Sequence, residues 1–418
     1  MVTSSCKLTE KGKFADDDGG QNPPVSCAAS PPTKGTKYNE GNTMIYHNAL
    51  IFKSEHGFLP GGFAVEEGRF TEVFEGHRPG DVDLGGLKVI PGLVDIHIHG
   101  AAGADFSDGD YEGLTRMART LARRGITAFL PTSMTLPYES LTAAFDTAAA
   151  LRKESPAGCA RPLGIHMEGP YFSEKKKGAQ NGAYLKAPDI EGFEKLQADC
   201  GGFIRLVDVA PELEWAEAFT RRASQSATVS VAHTDADYNQ ARAVYEAGAT
   251  HLTHLYNAMP GLMHRSPGPI GAASEREDVF AELICDGYHI HPSAVRAAFK
   301  LFPGRICLIS DALRCCGMPE GRYDLGGQPI ELKAGVARLL DGTIAGAASD
   351  LLTDMKNAMA FGIPEQEAVL AATWNPARSI GAENEAGAIR SGLPADFLVL
   401  DEAWDLKEVY MRGQRSTP

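Results

Sequence analysis

The segment GLVDIHIHG, residues 92–100, sets His97 and His99 one residue apart within an apolar run. On an extended strand alternate side chains share a face, so both imidazoles project the same way, with Cα atoms about 6.6 Å apart. Two neutral imidazoles on one face form a chelate for a divalent cation. Four more ligand types follow far along the chain: Glu168 in HMEGP, His233 in SVAHTD, His254 in THLYNAM and Asp311 in LISDA. Imidazole with carboxylate, and without thiolate, suits zinc, iron, manganese or cobalt.

These residues need a scaffold that gathers distant positions. Eight short apolar runs supply one: GLVDIHIHG, ITAFLPTS, PLGIHMEGPY, FIRLVDVAPE, TVSVAHTD, HLTHLYNAM, AELICDGYHI and RICLISDA. Helical stretches such as YEGLTRMARTLARRG, YESLTAAFDTAAALRKES and YNQARAVYEAGA lie between them. Strand–helix alternation builds a parallel sheet, and eight units over roughly 250 residues predict a closed (β/α)8 barrel, here residues 92–382. The ligand candidates sit at the carboxyl ends of runs 1, 3, 5, 6 and 8, the face on which such barrels carry chemistry. Residues 43–91, with MIYHNALIF and FAVEEGRFTEVF, and residues 383–418 read as short strands. They are expected to form a small β-sandwich domain from both chain ends.

Bulk properties narrow the class. The formal charge of −14 excludes broad affinity for nucleic acid or anionic membranes, and no apolar run nears the roughly 20 residues of a membrane span. Eight cysteines follow no zinc-finger or disulfide-framework spacing, which suits a reducing compartment; adjacent Cys315 and Cys316 read as free thiols. Residues 1–42 are rich in Ser, Gly, Pro, Lys and Asp and match no targeting segment. A disordered N-terminal extension and a cytoplasmic address are the expectations.

The motifs GIHMEGPYFSEKKKGAQN, VAPE, AHTDA, THLYNAM, ICDGYHI, SDA, GTIAG and NPARSIG resemble the amidohydrolase superfamily. Within it they are similar to the N-acetylglucosamine-6-phosphate deacetylases, over about residues 44–413. The resemblance implies Glu168, His233 and His254 as ligands of the metal common to that family, with Asp311 touching the ion as general base and acid. Some members carry Gln and Asn in place of His97 and His99 and hold one metal. The histidines here imply a second site, bridged by Glu168, so that one or two divalent ions (Zn, Fe, Mn or Co) are expected. Substrate contacts are implied for Ala179, Gln180, Asn257, Ala258, Asp286, Gly287, Tyr288 and His289, and for the turn Ile344, Ala345 and Gly346. Arg265 matches a phosphate-binding Arg that in relatives reaches the neighbouring subunit's site, so a homodimer is expected. Gln180 departs from the His common at its position and is the weaker donor; a second ion would then polarise the acetamide. The implied reaction releases acetate from N-acetyl-D-glucosamine 6-phosphate, in amino-sugar recycling, with Asp311 moving a proton from water to the leaving nitrogen.

Other histidines receive lesser roles. His166 shares a face with Glu168 and is expected to support the ligands. His251 reads as a packing or hydrogen-bonding residue, and His264 equally as an aid to phosphate binding beside Arg265 or as an exposed loop residue. His47, His56, His77 and His291 are assigned to surface or structure, and Lys175–Lys177 to a solvated loop. An amidohydrolase for N-acyl amino acids or cyclic amides would need neither Arg265 nor the NAM loop. A metal-free binding protein would not need the full ligand set.

Overall fold

The computed structural model describes residues 43–416; the extension expected over 1–42 lies outside the described residues, as do Cys6 and Cys27. Eight parallel strands form the barrel wall: Leu93–Ile98, Ile126–Ser133, Ile165–Met167, Ile204–Val209, Thr228–Val231, His251–Leu252, Phe280–Ile284 and Ile306–Ile309. They pair in sequence order, each with the next. Arg161–Pro162 is an earlier piece of the third strand, paired to the same neighbour. The eighth strand meets the first where the Asp311 amide donates to the His97 carbonyl at 2.9 Å. Just below, the Ser310 hydroxyl donates to the Asp95 carboxylate at 2.6 Å.

Period-2 alternation decides which side chains fill the lumen. Asp208, Ser230 and Glu282 point inward. Their neighbours Val207, Val229, Val231 and Leu283 join the apolar layer under the surrounding helices, with Leu114, Met117, Phe145, Phe193, Phe219 and Val295. Four of the helices start on aspartate caps: Asp110, Asp189, Asp237 and Asp350 each accept a backbone N–H of the first turn. At Asp237, which closes the loop from His233, Gln240 completes a capping box.

The segments before and after the barrel, residues 44–91 and 397–416, meet in a second, eight-stranded sheet. Phe397–Leu400 pairs antiparallel with Lys88–Pro91 (Phe397 opposite Pro91), joining the C-terminal strands to Met44–Lys53, Gly57–Glu66 and Arg69–Glu75. The run FAVEEGRFTEVF is not one strand: it turns at Glu67 and Gly68, both in the left-handed region, and pairs back on itself. A separate core of Tyr46, Ile51, Phe63, Phe70, Val89, Phe397 and Tyr410 fills this part.

One element was not anticipated. Between the eighth strand and the helix Leu351–Ala360 lie three antiparallel strands, Gly321–Leu325, Gln328–Lys333 and Val336–Leu339. Leu325, Ile330 and Leu332 pack on Met134 and Leu313, from loops after strands 2 and 8. Gln328 donates to the Ala179 carbonyl at 2.7 Å, and Tyr288 to that of Ala334 at 3.2 Å, so this hairpin unit ties the strand-3 and strand-7 loops together. Among the described residues, no helix is long and apolar enough to cross a membrane, and all six cysteines are free.

Candidate metal centre

The six predicted ligands converge at the carboxyl ends of their strands, all buried; Asp311 is the most accessible, at 8%. The Nε2 atoms of His97 and His99 lie 3.4 Å apart, and Asp311 Oδ1 stands 3.6 Å and 3.3 Å from them. The Nε2 atoms of His233 and His254 lie 3.1 Å apart, with Glu168 Oε1 3.2 Å and 3.3 Å away. Glu168 joins the halves: Oε1 is 3.6 Å from His97 Nε2, and Oε2 is 3.3 Å from His99 Nε2. Two groups of three ligands therefore form, His97–His99–Asp311 and Glu168–His233–His254, each with its ligand atoms within 4.8 Å of one another.

Hydrogen bonds at the far side of the rings fix what those nitrogens offer. His99 Nδ1 faces the Thr132 carbonyl at 3.1 Å, and His233 Nδ1 the Lys176 carbonyl at 2.9 Å. A carbonyl only accepts, so each Nδ1 carries a proton and the ring, in its neutral form, turns an Nε2 lone pair into the site. His97 Nδ1 lies 2.9 Å from Glu282 Oε2, with the same consequence. Lone pairs and carboxylate oxygens crowded at 3.1–3.6 Å are the donor set of a divalent cation.

The electrostatics agree. Burial opposes a charge on His97, but the Glu282 and Glu168 carboxylates outweigh it and lift its pKa to about 9. His99 is raised well above the ordinary imidazole value against the same burial, through Asp311 and Glu168. Glu168 and Asp311 are held ionised despite burial by the surrounding imidazoles. This field retains positive charge, as protons or as a metal.

The backbone carries strain where the ligands leave their strands. His233, His254 and Asp311 have φ of 45°, 30° and 48°, in the left-handed region, a conformation that non-glycine residues keep only where surrounding structure imposes it. For Asp311 the brace is the predicted Ile344–Gly346 turn. The Asp311 carbonyl would lie 3.0 Å from any Cβ at Gly346, whose φ is 112°, so only glycine allows this approach.

The substrate candidates surround the centre unevenly. Gln180 is buried, accepts from the Thr135 amide at 2.7 Å and donates to Glu168 Oε2 at 2.6 Å. It holds the bridging carboxylate, a role the sequence did not suggest. Asn257 and Ala258 continue the strained turn after His254. Asp286 gathers the amides of Tyr288 and His289 and the His289 ring at 2.7 Å, with Gly287 exposed between them. His264 and Arg265 lie exposed on the loop before Pro267, outside the ligand cluster. His166 touches the His97 ring at 4.5 Å between centroids and reaches Asp208 at 3.1 Å, the supporting place expected of it.

Comparison with known proteins gives the family. Residues 88–415 match the family model described as "Amidohydrolase family". The chain belongs to the amidohydrolase family. It is 35% identical over 82% of its length to the N-acetylglucosamine-6-phosphate deacetylase of Vibrio furnissii, covering 86% of that protein. An N-acetylgalactosamine-6-phosphate deacetylase of Escherichia coli O157:H7 is also 35% identical, over 78% of this chain and 86% of its own. Among solved structures, a variant of the Mycobacterium smegmatis N-acetyl-D-glucosamine-6-phosphate deacetylase, in complex with N-acetyl-D-glucosamine 6-phosphate, superposes with a TM-score of 0.85. It is 32% identical and covers 90% of this chain and all of its own. Amidohydrolases are metal-dependent hydrolases, and this member retains a donor set suited to that chemistry.

Glu282 was missed from the sequence. It is the one polar residue in the strand FAELI, and the reading there stopped at the DGYH turn. A carboxylate facing the lumen of an apolar strand was the available signal.

Proposed function

We propose that this protein hydrolyses N-acetyl-D-glucosamine 6-phosphate to D-glucosamine 6-phosphate and acetate. One or two divalent ions would be held by His97, His99, Glu168, His233, His254 and Asp311. The observation that carries the reading is the two pairs of facing Nε2 atoms on either side of Glu168. When bound, a divalent cation supplies Lewis acidity, lowering the pKa of water toward about 7 and polarising an amide carbonyl. Asp311, kept ionised in spite of burial by the His99 and His97 imidazoles beside it, takes the proton of the attacking water and returns it to the leaving nitrogen. Gln180 keeps one N–H for the substrate after binding Glu168. Arg265 forms a charge-assisted contact with the phosphate, in the site of a second subunit within a cytoplasmic homodimer. Ala179, Asn257, Ala258, the Asp286–His289 turn and Ile344–Gly346 form the sugar pocket.

The equal identity to a galacto-type deacetylase makes the C4 epimer the second candidate. Acetate release is measured with N-acetylglucosamine 6-phosphate, its galacto epimer and unphosphorylated N-acetylglucosamine. The expected result is highest kcat/KM for the first and at least about 10²-fold loss without the phosphate, the scale of a lost charge-assisted contact. Equal rates with and without phosphate would point to a different amide substrate; preference for the epimer would favour the second candidate.

A further inference from the structure

Below the ligands, one carboxylate ties three strands together. Glu282 is wholly buried on the seventh strand. Its Oε2 meets His97 Nδ1 at 2.9 Å and accepts the backbone N–H of His254 at 3.1 Å. Its Oε1 meets His251 Nε2 at 3.2 Å. The contacts thus reach one ring from the His97–His99 half and one strained backbone position from the Glu168–His233–His254 half. His97, His166 and Glu282 also place ligand atoms within 4.8 Å of one another. Both Glu282 oxygens are already committed to hydrogen bonds, and His97 can present Nε2 upward only if Nδ1 keeps its proton. A further ion among these three would compete with that arrangement, so the trio is a hydrogen-bonded support.

We propose that Glu282 is the positioning residue of the metal centre. By accepting from His97 Nδ1–H it fixes that ring's tautomer and aim, and by holding the His254 amide it sets the spacing between the two ligand groups. This rests on the metal-centre reading above and adds to it a residue that touches neither ion nor substrate. His251, on this account, is the third anchor that stops the carboxylate from rotating. The isosteric Glu282→Gln can keep the shape but loses the charge. Glu282→Asp keeps the charge but shortens the reach.

The test uses Co2+ alone as probe, on metal-stripped full-length protein. Affinity is read by chelator competition, and the ligand histidines by the paramagnetically shifted, solvent-exchangeable N–H protons in the proton NMR spectrum. Wild-type protein must bind stoichiometric Co2+; if it does not, the metal-centre reading itself fails, independently of Glu282. Given wild-type binding, the Gln and Asp variants are expected to fold with metal-free Tm near wild type. They are expected to bind Co2+ about 10–100-fold more weakly, the usual cost of losing an outer partner of a ligand histidine, and to shift or lose the His97 N–H signal. Wild-type affinity and an unmoved signal in either folded variant would overturn the proposal. So would failure of both variants to fold without metal, since Glu282 would then be a strut of the barrel.

Discussion

Asp311, the proposed base and acid, stands against His99 and at the least enclosed edge of the ligand cluster. Its backbone conformation is one that an aspartate seldom adopts, and the Ala347 amide, next to Gly346, donates to its carbonyl at 2.8 Å. Asp311→Asn preserves that shape and removes the proton acceptor. Turnover is expected to fall by at least about 10²-fold while metal content, measured by mass spectrometry of the purified protein, stays near wild type. Turnover within threefold of wild type would take Asp311 out of its assigned role. Gln180 is a different case. The sequence suggested a diminished substitute for a substrate-facing histidine, whereas the side chain is fastened between the Thr135 amide and Glu168.

At the scale of elements, the eight strands were legible because each run joins apolar residues to a polar end, and the ring order follows once connections are short and parallel. The proposed ligands were legible for the same reason: they stand at strand ends. The strand-6 run HLTHLYNAM is strand only at His251–Leu252, because the turn bearing His254 bends away into left-handed backbone. Alternation alone does not reveal such a bend. The three-stranded insert lies outside the eight-unit repeat, although DLGGQPIEL contains a Gly-Gly hairpin signal. The helix after that insert carries a buried acid, Asp354, raised well above the ordinary carboxyl range by burial and by the Asp286 and Asp350 carboxylates, against the effect of Ser349. Because the unfolded chain ionises first, near pH 3.9, this group lowers stability as pH rises above about 4, until the folded carboxyl also ionises. Asp354→Asn removes the term, so its Tm advantage over wild type is expected to widen from pH 5 to pH 8, by about 2–4 °C. A gap that stays constant or narrows with pH would contradict this assignment.

Across the described residues, a closed barrel gathers six side chains from five strand ends, while the segments before and after it form a separate sheet joined through Phe397–Leu400 and Lys88–Pro91. No local stretch of sequence contains the site; only closure between Asp311 and His97 creates it. The central claim is that these groups grip a cation without which the amide is not cleaved. It is tested by stripping the protein with a chelator, adding back Zn2+ or Co2+ in increments, and recording bound metal and acetate release from N-acetylglucosamine 6-phosphate on the same samples. Acetate release is expected to be near zero in the stripped protein and to rise in proportion to bound ion until one or two equivalents are taken up. Undiminished acetate release from the metal-free protein would contradict the account.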